Sequence, residues 1–179
     1  MNRSTTAMLV IVAGLSGAVA FFISGRPSPA LSPGRAWVVR PASPGDGAPS
    51  FTLPDVRGRL VSLGEYRGKV VIVNFWAISC GPCIQEIPDF IALQSRYGNK
   101  GLQVIGIGLD RLEELKEFTE KQGMNYEVLS GTKEVAWLFG GISGVPRTFI
   151  IDRRGTIVSI YAGPRSGSLF EDEVRRLLD

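Results

Sequence analysis

The stretch that most constrains this chain runs from Val70 to Pro88, V-V-I-V-N-F-W-A-I-S-C-G-P-C-I-Q-E-I-P. Val70 to Phe75 is a short apolar run of the kind that forms a buried strand. A brief turn follows. The chain then delivers Cys80 and Cys83, its only two cysteines, to what reads as the first turn of a helix. A helix start carries unpaired N–H groups and the positive end of the macrodipole, so a thiolate is favoured there over a thiol. Free cysteine titrates near pH ~8.5, and C-x-x-C sites at helix N-termini fall one to several units lower. Cys80 is therefore expected to be the attacking thiolate, with Cys83 one turn further in to close a disulfide onto it. Pro82 suits an early helical position because its missing N–H would be unpaired in any case. Gly81 leaves the approach of a substrate backbone unobstructed.

Other uses of a C-x-x-C pair fit less well. A zinc site needs two further ligands, and the chain has no other Cys and no His. A purely structural disulfide across three residues closes too small a loop to constrain the unfolded chain much. Peroxidase chemistry requires a Thr within a P-x-x-x-T-x-x-C pattern, and position 77, where it would stand, is Ala.

The leading residues have a different character. Ala7 to Ile23 is an apolar run softened only by Gly and Ser, at the lower length limit for crossing a bilayer. Residues 1–23 are expected to form an uncleaved membrane anchor, or a signal segment if the Ala18–Ala20 region is cut. Residues 24–49 hold six of the eleven prolines and read as an extended tether reaching at most roughly 80 Å, at ~3.1 Å per residue. Four of the 20 Lys and Arg and one of the 17 acidic residues precede residue 50, which leaves the remainder balanced at sixteen of each. A neutral head offers no electrostatic case for nucleic acid.

From residue 50 onward, two short strands around P-D-V-R-G-R read as a hairpin. Next come the Val70 strand, a helix from about Gly81 to Tyr97 carrying Pro88, and a buried strand over Leu102 to Leu109. Asp110 and Glu113 read as the start of a helix ending at Gly123. A strand at Tyr126 to Leu129 and a short helix at Lys133 to Phe139 follow. Two strands joined by D-R-R-G come next, and Ser168 with Glu171 reads as the start of a last helix. The alternation predicts an α/β fold with a mixed sheet.

F-W-A-x-x-C-G-P-C, with a proline five residues after the second Cys, resembles thioredoxin. The wider pattern runs from P-S-F-T-L-P-D through Gly144-Val145-Pro146 to I-I-D-R-R-G-T-I-V. It resembles the membrane-tethered TlpA/ResA branch of that superfamily over about Ala48 to Asp179. The resemblance implies a thioredoxin fold over 50–179, with an added N-terminal hairpin and an inserted helix–strand unit. It implies a thiol-disulfide oxidoreductase needing no metal or organic cofactor. Its partners would be protein disulfides, apocytochrome c among them, and a membrane thiol reductant, on the periplasmic or another extracytoplasmic side. A cleaved N-terminal segment would make it a secreted periplasmic protein.

Residue by residue, Glu86 matches a functional glutamate of ResA-like proteins, and Pro146 matches a cis proline that faces the dithiol and presents Val145 to an extended substrate. Trp76 matches the family's active-site tryptophan, and the resemblance implies a substrate-binding surface made of Trp76, Gly81, Pro82, Val145 and Pro146. Asn74 stands where thioredoxin has a buried proton-shuttling acid, shifting that burden toward Glu86 or water. Two departures bear on partner choice. Ser79 replaces the usual Trp before the first Cys, and Arg147 replaces a Thr, which would favour acidic or phosphate-bearing neighbours. The competing function is a non-catalytic module that senses redox state or handles copper, and the absence of His opposes the copper version.

Overall fold

A computed structural model describes residues 42–179. The expected anchor over 1–23 and the tether as far as residue 41 lie outside the described residues, among which no helix is long and apolar enough to cross a membrane.

Strand β3 (Val70–Trp76) is buried along its whole length, because its even positions face one layer and its odd positions the other. It pairs in parallel with β4 (Leu102–Gly108) from Val70↔Leu102 to Trp76↔Gly108, and antiparallel with β6 (Arg147–Ile151). β5 (Glu127–Ser130) adds in parallel to β4, and β7 (Ile157–Ala162) antiparallel to β6, giving the order β5-β4-β3-β6-β7. This is the mixed sheet that the sequence predicts.

Helices α1 (Gly81–Tyr97), α2 (Leu112–Gln122) and α4 (Gly167–Leu178) take one face. On it Val70, Ile72, Leu102 and Val104 meet Phe90, Phe170 and Val174, with the Phe90 and Phe170 rings 5.2 Å apart. The helical period of α1 buries Cys83, Glu86, Ile87, Phe90, Leu93 and Tyr97, while Ile84 and Ile91 sit half-exposed at its margin. The opposite face carries Phe75, Phe149 and Ile105, covered by α3 (Lys133–Leu138) and by the hairpin of β1 (Thr52–Pro54) and β2 (Leu60–Ser62).

Both sheet edges are blunted, which removes unpaired strand surface. Asp55 of the hairpin bridges to Leu129, and Val56 N–H donates to Val128. On the far side the 42–49 segment docks beside β7. Gly45 N–H donates to Ile157 O, Ile157 N–H to Asp46 O, and Ala48 N–H to Gly155 O, each at 2.8 Å. The last residues of the expected tether thus belong to the domain, because the backbone of β7 supplies partners that a proline count does not reveal.

Two expected helix starts are also corrected. Arg111, with extended backbone, stands at the N-cap of α2 and makes no side-chain cap, while Asp110 is used elsewhere. Ser166 rather than Ser168 caps α4, accepting from Leu169 N–H. Glu171 instead accepts from Arg96 and from the Tyr97 hydroxyl, both at 2.6 Å, which ties α4 to α1.

Phe170 is fully buried between the Phe90 and Tyr161 rings. Phe170→Ala is expected to lower unfolding stability by about 3–5 kcal/mol in a urea titration. A loss below about 1 kcal/mol would show that α4 does not hold this layer together.

Candidate active site

The site forms where β3 ends. The last β3 pair, Trp76↔Gly108, is followed by Leu109 N–H donating to Trp76 O, so the chain leaves the sheet edge at a fixed point. Ala77 to Ser79 then turn the backbone. Asp110 Oδ2 accepts from Ile78 N–H at 2.8 Å, bracing this turn from the end of β4. The sequence pattern places Asp110 in a helix cap, so its role in holding the approach to Cys80 is invisible without the strand pairing.

Cys80 occupies the N-cap of α1 in extended backbone, and its Sγ accepts from Cys83 N–H at 3.2 Å. Cys80 and Cys83 are joined as a disulfide, so this geometry is that of the oxidised state. Cys83 is buried, Cys80 half-exposed, and Ser79, Gly81 and Pro82 exposed. An outside nucleophile therefore meets Cys80 first. A Cβ added at Gly81 would meet nothing within 4 Å among the described residues. The open space beside it is required by nothing in the domain and remains available to an incoming chain.

The loop before β6 closes the other side. The Val145–Pro146 peptide bond is cis, and the Val145 carbonyl oxygen lies 3.6 Å from Cys80 Sγ. Val145 is half-buried and Pro146 buried. β6 runs antiparallel to β3, so its first residue, Arg147, pairs with Phe75 at the end where β3 leads to the cysteines. The Arg147 guanidinium lies 6.0 Å from the Phe149 ring centre, and side-chain alternation puts both on the face opposite α1. That orientation directs Arg147 away from the helix bearing the dithiol, against the expectation of an acidic or phosphate-bearing neighbour.

Trp76 is 1% exposed and packs 5.5 Å from Phe118, with its Nε1 2.9 Å from where a Cβ on Gly106 would stand. Direct contact with a substrate, expected from the sequence, is corrected by this burial. The ring shapes the wall behind Cys83 instead. Asn74 is buried and donates from Nδ2 to Thr148 Oγ1 at 2.9 Å, cross-linking β3 to β6. Having no titrating proton, it stabilises the sheet beneath the site without exchanging charge with it.

Glu86 lies one turn beyond Cys83 on the same face of α1 and is 2% exposed. Its Oε1 accepts from Arg165 N–H at 2.8 Å, and its Oε2 is buried without a hydrogen-bond partner among the described residues. Burial pushes its carboxyl above the ordinary range. The Arg165 N–H opposes that shift, and nearby Asp89 adds to it.

The raised carboxyl has a sign. The folded state holds the Glu86 proton more tightly than the unfolded chain. Its favourable contribution is complete below the unfolded value near ~4.3 and is lost as pH rises through the folded value. Glu86→Gln is expected to gain stability relative to wild type as pH is raised across that window, in urea titrations of the oxidised protein. A pH-independent difference would show that Glu86 titrates normally. Asp110→Ala leaves the Ile78 N–H without its partner and is expected to lose about 1–2 kcal/mol in the same measurement.

Residues 44–160 match the AhpC/TSA family. Over 129 residues the chain is 39% identical to a Mycobacterium tuberculosis protein with a provisional peroxiredoxin name, a match spanning 65% of this chain and 82% of that one. It is 28% identical over 136 residues to the thiol-disulfide oxidoreductase ResA of Geobacillus thermodenitrificans, covering 75% and 76%. Among solved structures it superposes on a thioredoxin-family thiol:disulfide interchange protein from Chlorobium tepidum with a TM-score of 0.71. The two are 36% identical, and the match covers 77% of this chain and 99% of that one.

Proposed function

The chain belongs to the AhpC/TSA family and is a thioredoxin-fold thiol-disulfide oxidoreductase of the TlpA/ResA kind; we propose that it works on the extracytoplasmic side of a membrane, held by residues 1–23. The observation that carries the disulfide-exchange chemistry is the seating of Cys80 at the α1 N-cap, with the Cys83 N–H on its sulfur and the Val145 carbonyl beside it; the placement at a membrane rests on the apolar run of residues 7–23 and on the resemblance.

In the reduced enzyme the Cys80 thiolate attacks one sulfur of a target disulfide. A bond from Cys80 to that sulfur forms, the target S–S bond breaks, and the released target thiolate takes up a proton. Cys83 then loses its proton and attacks Cys80. The mixed disulfide breaks, the second target sulfur leaves as a thiolate that takes up a proton from solvent, and the pair ends as the Cys80–Cys83 disulfide seen here. Two electrons have moved from enzyme to target, and a dithiol donor must return them.

The burial of Glu86 one turn from Cys83 supports a role in accepting the Cys83 proton as the mixed disulfide resolves. The Val145 backbone, held by Pro146, supports capture of an extended substrate segment by main-chain pairing, with little demand on substrate sequence. Gly81 and Pro82 flank that segment. A reducing direction, a membrane thiol reductant as donor and the haem-binding cysteine pair of apocytochromes c as target follow from the resemblance in sequence.

The provisional name of the mycobacterial relative favours a second reading, with a hydroperoxide as electron acceptor. The Ala at position 77 opposes it, since the P-x-x-x-T-x-x-C pattern lacks its Thr.

Reduction of insulin in the presence of dithiothreitol is expected to stop on Cys80→Ser substitution, while Cys83→Ser leaves Cys80 covalently joined to its client for identification by mass spectrometry. Turnover surviving in Cys80→Ser, or consumption of hydrogen peroxide at a rate exceeding that of disulfides, would overturn the mechanism.

A further inference from the structure

Three buried polar atoms between the sheet and helices α1 and α2 lack hydrogen-bond partners among the described residues: Glu86 Oε2, Trp76 Nε1 and Thr119 Oγ1. Such atoms are costly unless water reaches them, and internal waters gather where several lie close together in a polar space. Thr119 borders such a space. A cleft of about 290 Å³ opens between α2, β5 and the β1–β2 turn, and Thr119, Tyr126, Asn125, Gln103, Gln94 and Asp55 are among the residues lining it.

Tyr126 spans the distance between this cleft and the helix bearing the dithiol. Its ring meets that of Phe90 edge-on at 6.4 Å, and Phe90 lies one turn from Glu86 on the same face of α1. The preceding residue, Asn125, donates from Nδ2 to Ile91 O and Ser95 Oγ, which holds this segment against α1. A Cβ on Gly106 would meet Trp76 Nε1 at 2.9 Å and Tyr126 Cε2 at 3.3 Å, so the two rings converge above one glycine.

We propose that Tyr126 is a positioning residue through which Glu86 exchanges its proton with solvent, along a hydrated path that leaves the buried carboxylate, passes the Tyr126 hydroxyl and opens into the cleft at Thr119. The path rests on the reading of Glu86 as the proton acceptor for Cys83. It supplies what that role requires, because a carboxyl 2% exposed must pass each accepted proton onward before the next turnover. The proton enters as the Cys83 thiol ionises, moves onto Glu86, and leaves through water in the cleft.

Burial, with the Glu86 charge adding to it, pushes the Tyr126 hydroxyl well above its ordinary range. It therefore stays a neutral O–H donor throughout the working pH range. The charged groups facing Glu86 are Asp89 on its own helix and Arg165 from the loop before α4. At the mouth of the cleft, Asp55, Arg59 and Glu127 are engaged with one another.

Tyr126→Phe keeps the ring against Phe90 and removes only the hydroxyl. Two measurements on the folded protein test the path: the titration of the Glu86 carboxyl carbon by NMR, and the pH profile of insulin reduction. The variant is expected to move the Glu86 titration up by about one unit, a tenfold change in its proton affinity, and the activity profile with it. Thr119→Val is expected to move both in the same direction by less. An unmoved Glu86 titration in Tyr126→Phe, alongside a pH profile that does respond to Glu86→Gln, overturns the path alone. A shifted titration in Tyr126→Phe with a profile indifferent to Glu86→Gln supports the path and overturns the catalytic use of Glu86.

Discussion

The ladder that β3 forms with β4 on one side and β6 on the other is the constraint from which the site follows. Seven parallel pairs to β4 set where β3 stops, and that stop sets where α1 starts. Five antiparallel pairs to β6 bring its first residue to the same end, so Val145 and the cis proline after it arrive beside the first cysteine, Val145 from a point 65 residues away in sequence. A register slip of one residue would turn the apolar positions of β3 to the wrong layer. It would also move Val145 away from Cys80. Pairing energy spread over the whole sheet thus fixes a distance between two groups at its margin.

Around the dithiol, two electrostatic influences act in opposite senses. The start of α1 favours negative charge on Cys80 through its unpaired N–H groups. Glu86, one turn past Cys83, is a carboxyl that burial disfavours as an anion, and among the described residues it has only one of its oxygens hydrogen-bonded. The two are compatible because they act at different depths. The charge stabilised at the helix start lies at the half-exposed surface, whereas the group suited to holding a proton lies behind the buried cysteine. The half-exposed sulfur and the buried carboxyl are therefore separated in depth along the first turns of one helix.

Much of this was legible in the chain itself. A seven-residue apolar strand, a C-G-P-C at the head of a periodic helix and a proline before the next strand are local patterns, and each describes a local structure. Features that depend on two distant segments meeting were not legible. Asp110 looks like a helix cap because Glu113 follows it in register, but the Ile78 N–H brought beside it by the β3–β4 pairing claims its carboxylate. Ser168 loses the capping position to Ser166, and Glu171, its apparent partner, is held by Arg96 and Tyr97 of another helix. Trp76 reads as a substrate-binding ring by likeness and is found inside, since an even position on β3 faces α1. Nothing around Tyr126 in the sequence marks it, because its neighbours in space come from α1, α2 and β4.

The docking of residues 42–49 beside β7 bears on orientation. Those residues meet Gly155 and Thr156, where β6 ends, whereas the sulfurs lie where β6 begins. The polypeptide thus enters the domain at the pole opposite its reactive group, with the length of the sheet between them. A pull applied through the upstream chain would therefore act on the stern of the domain and leave the bow that carries the sulfur unloaded.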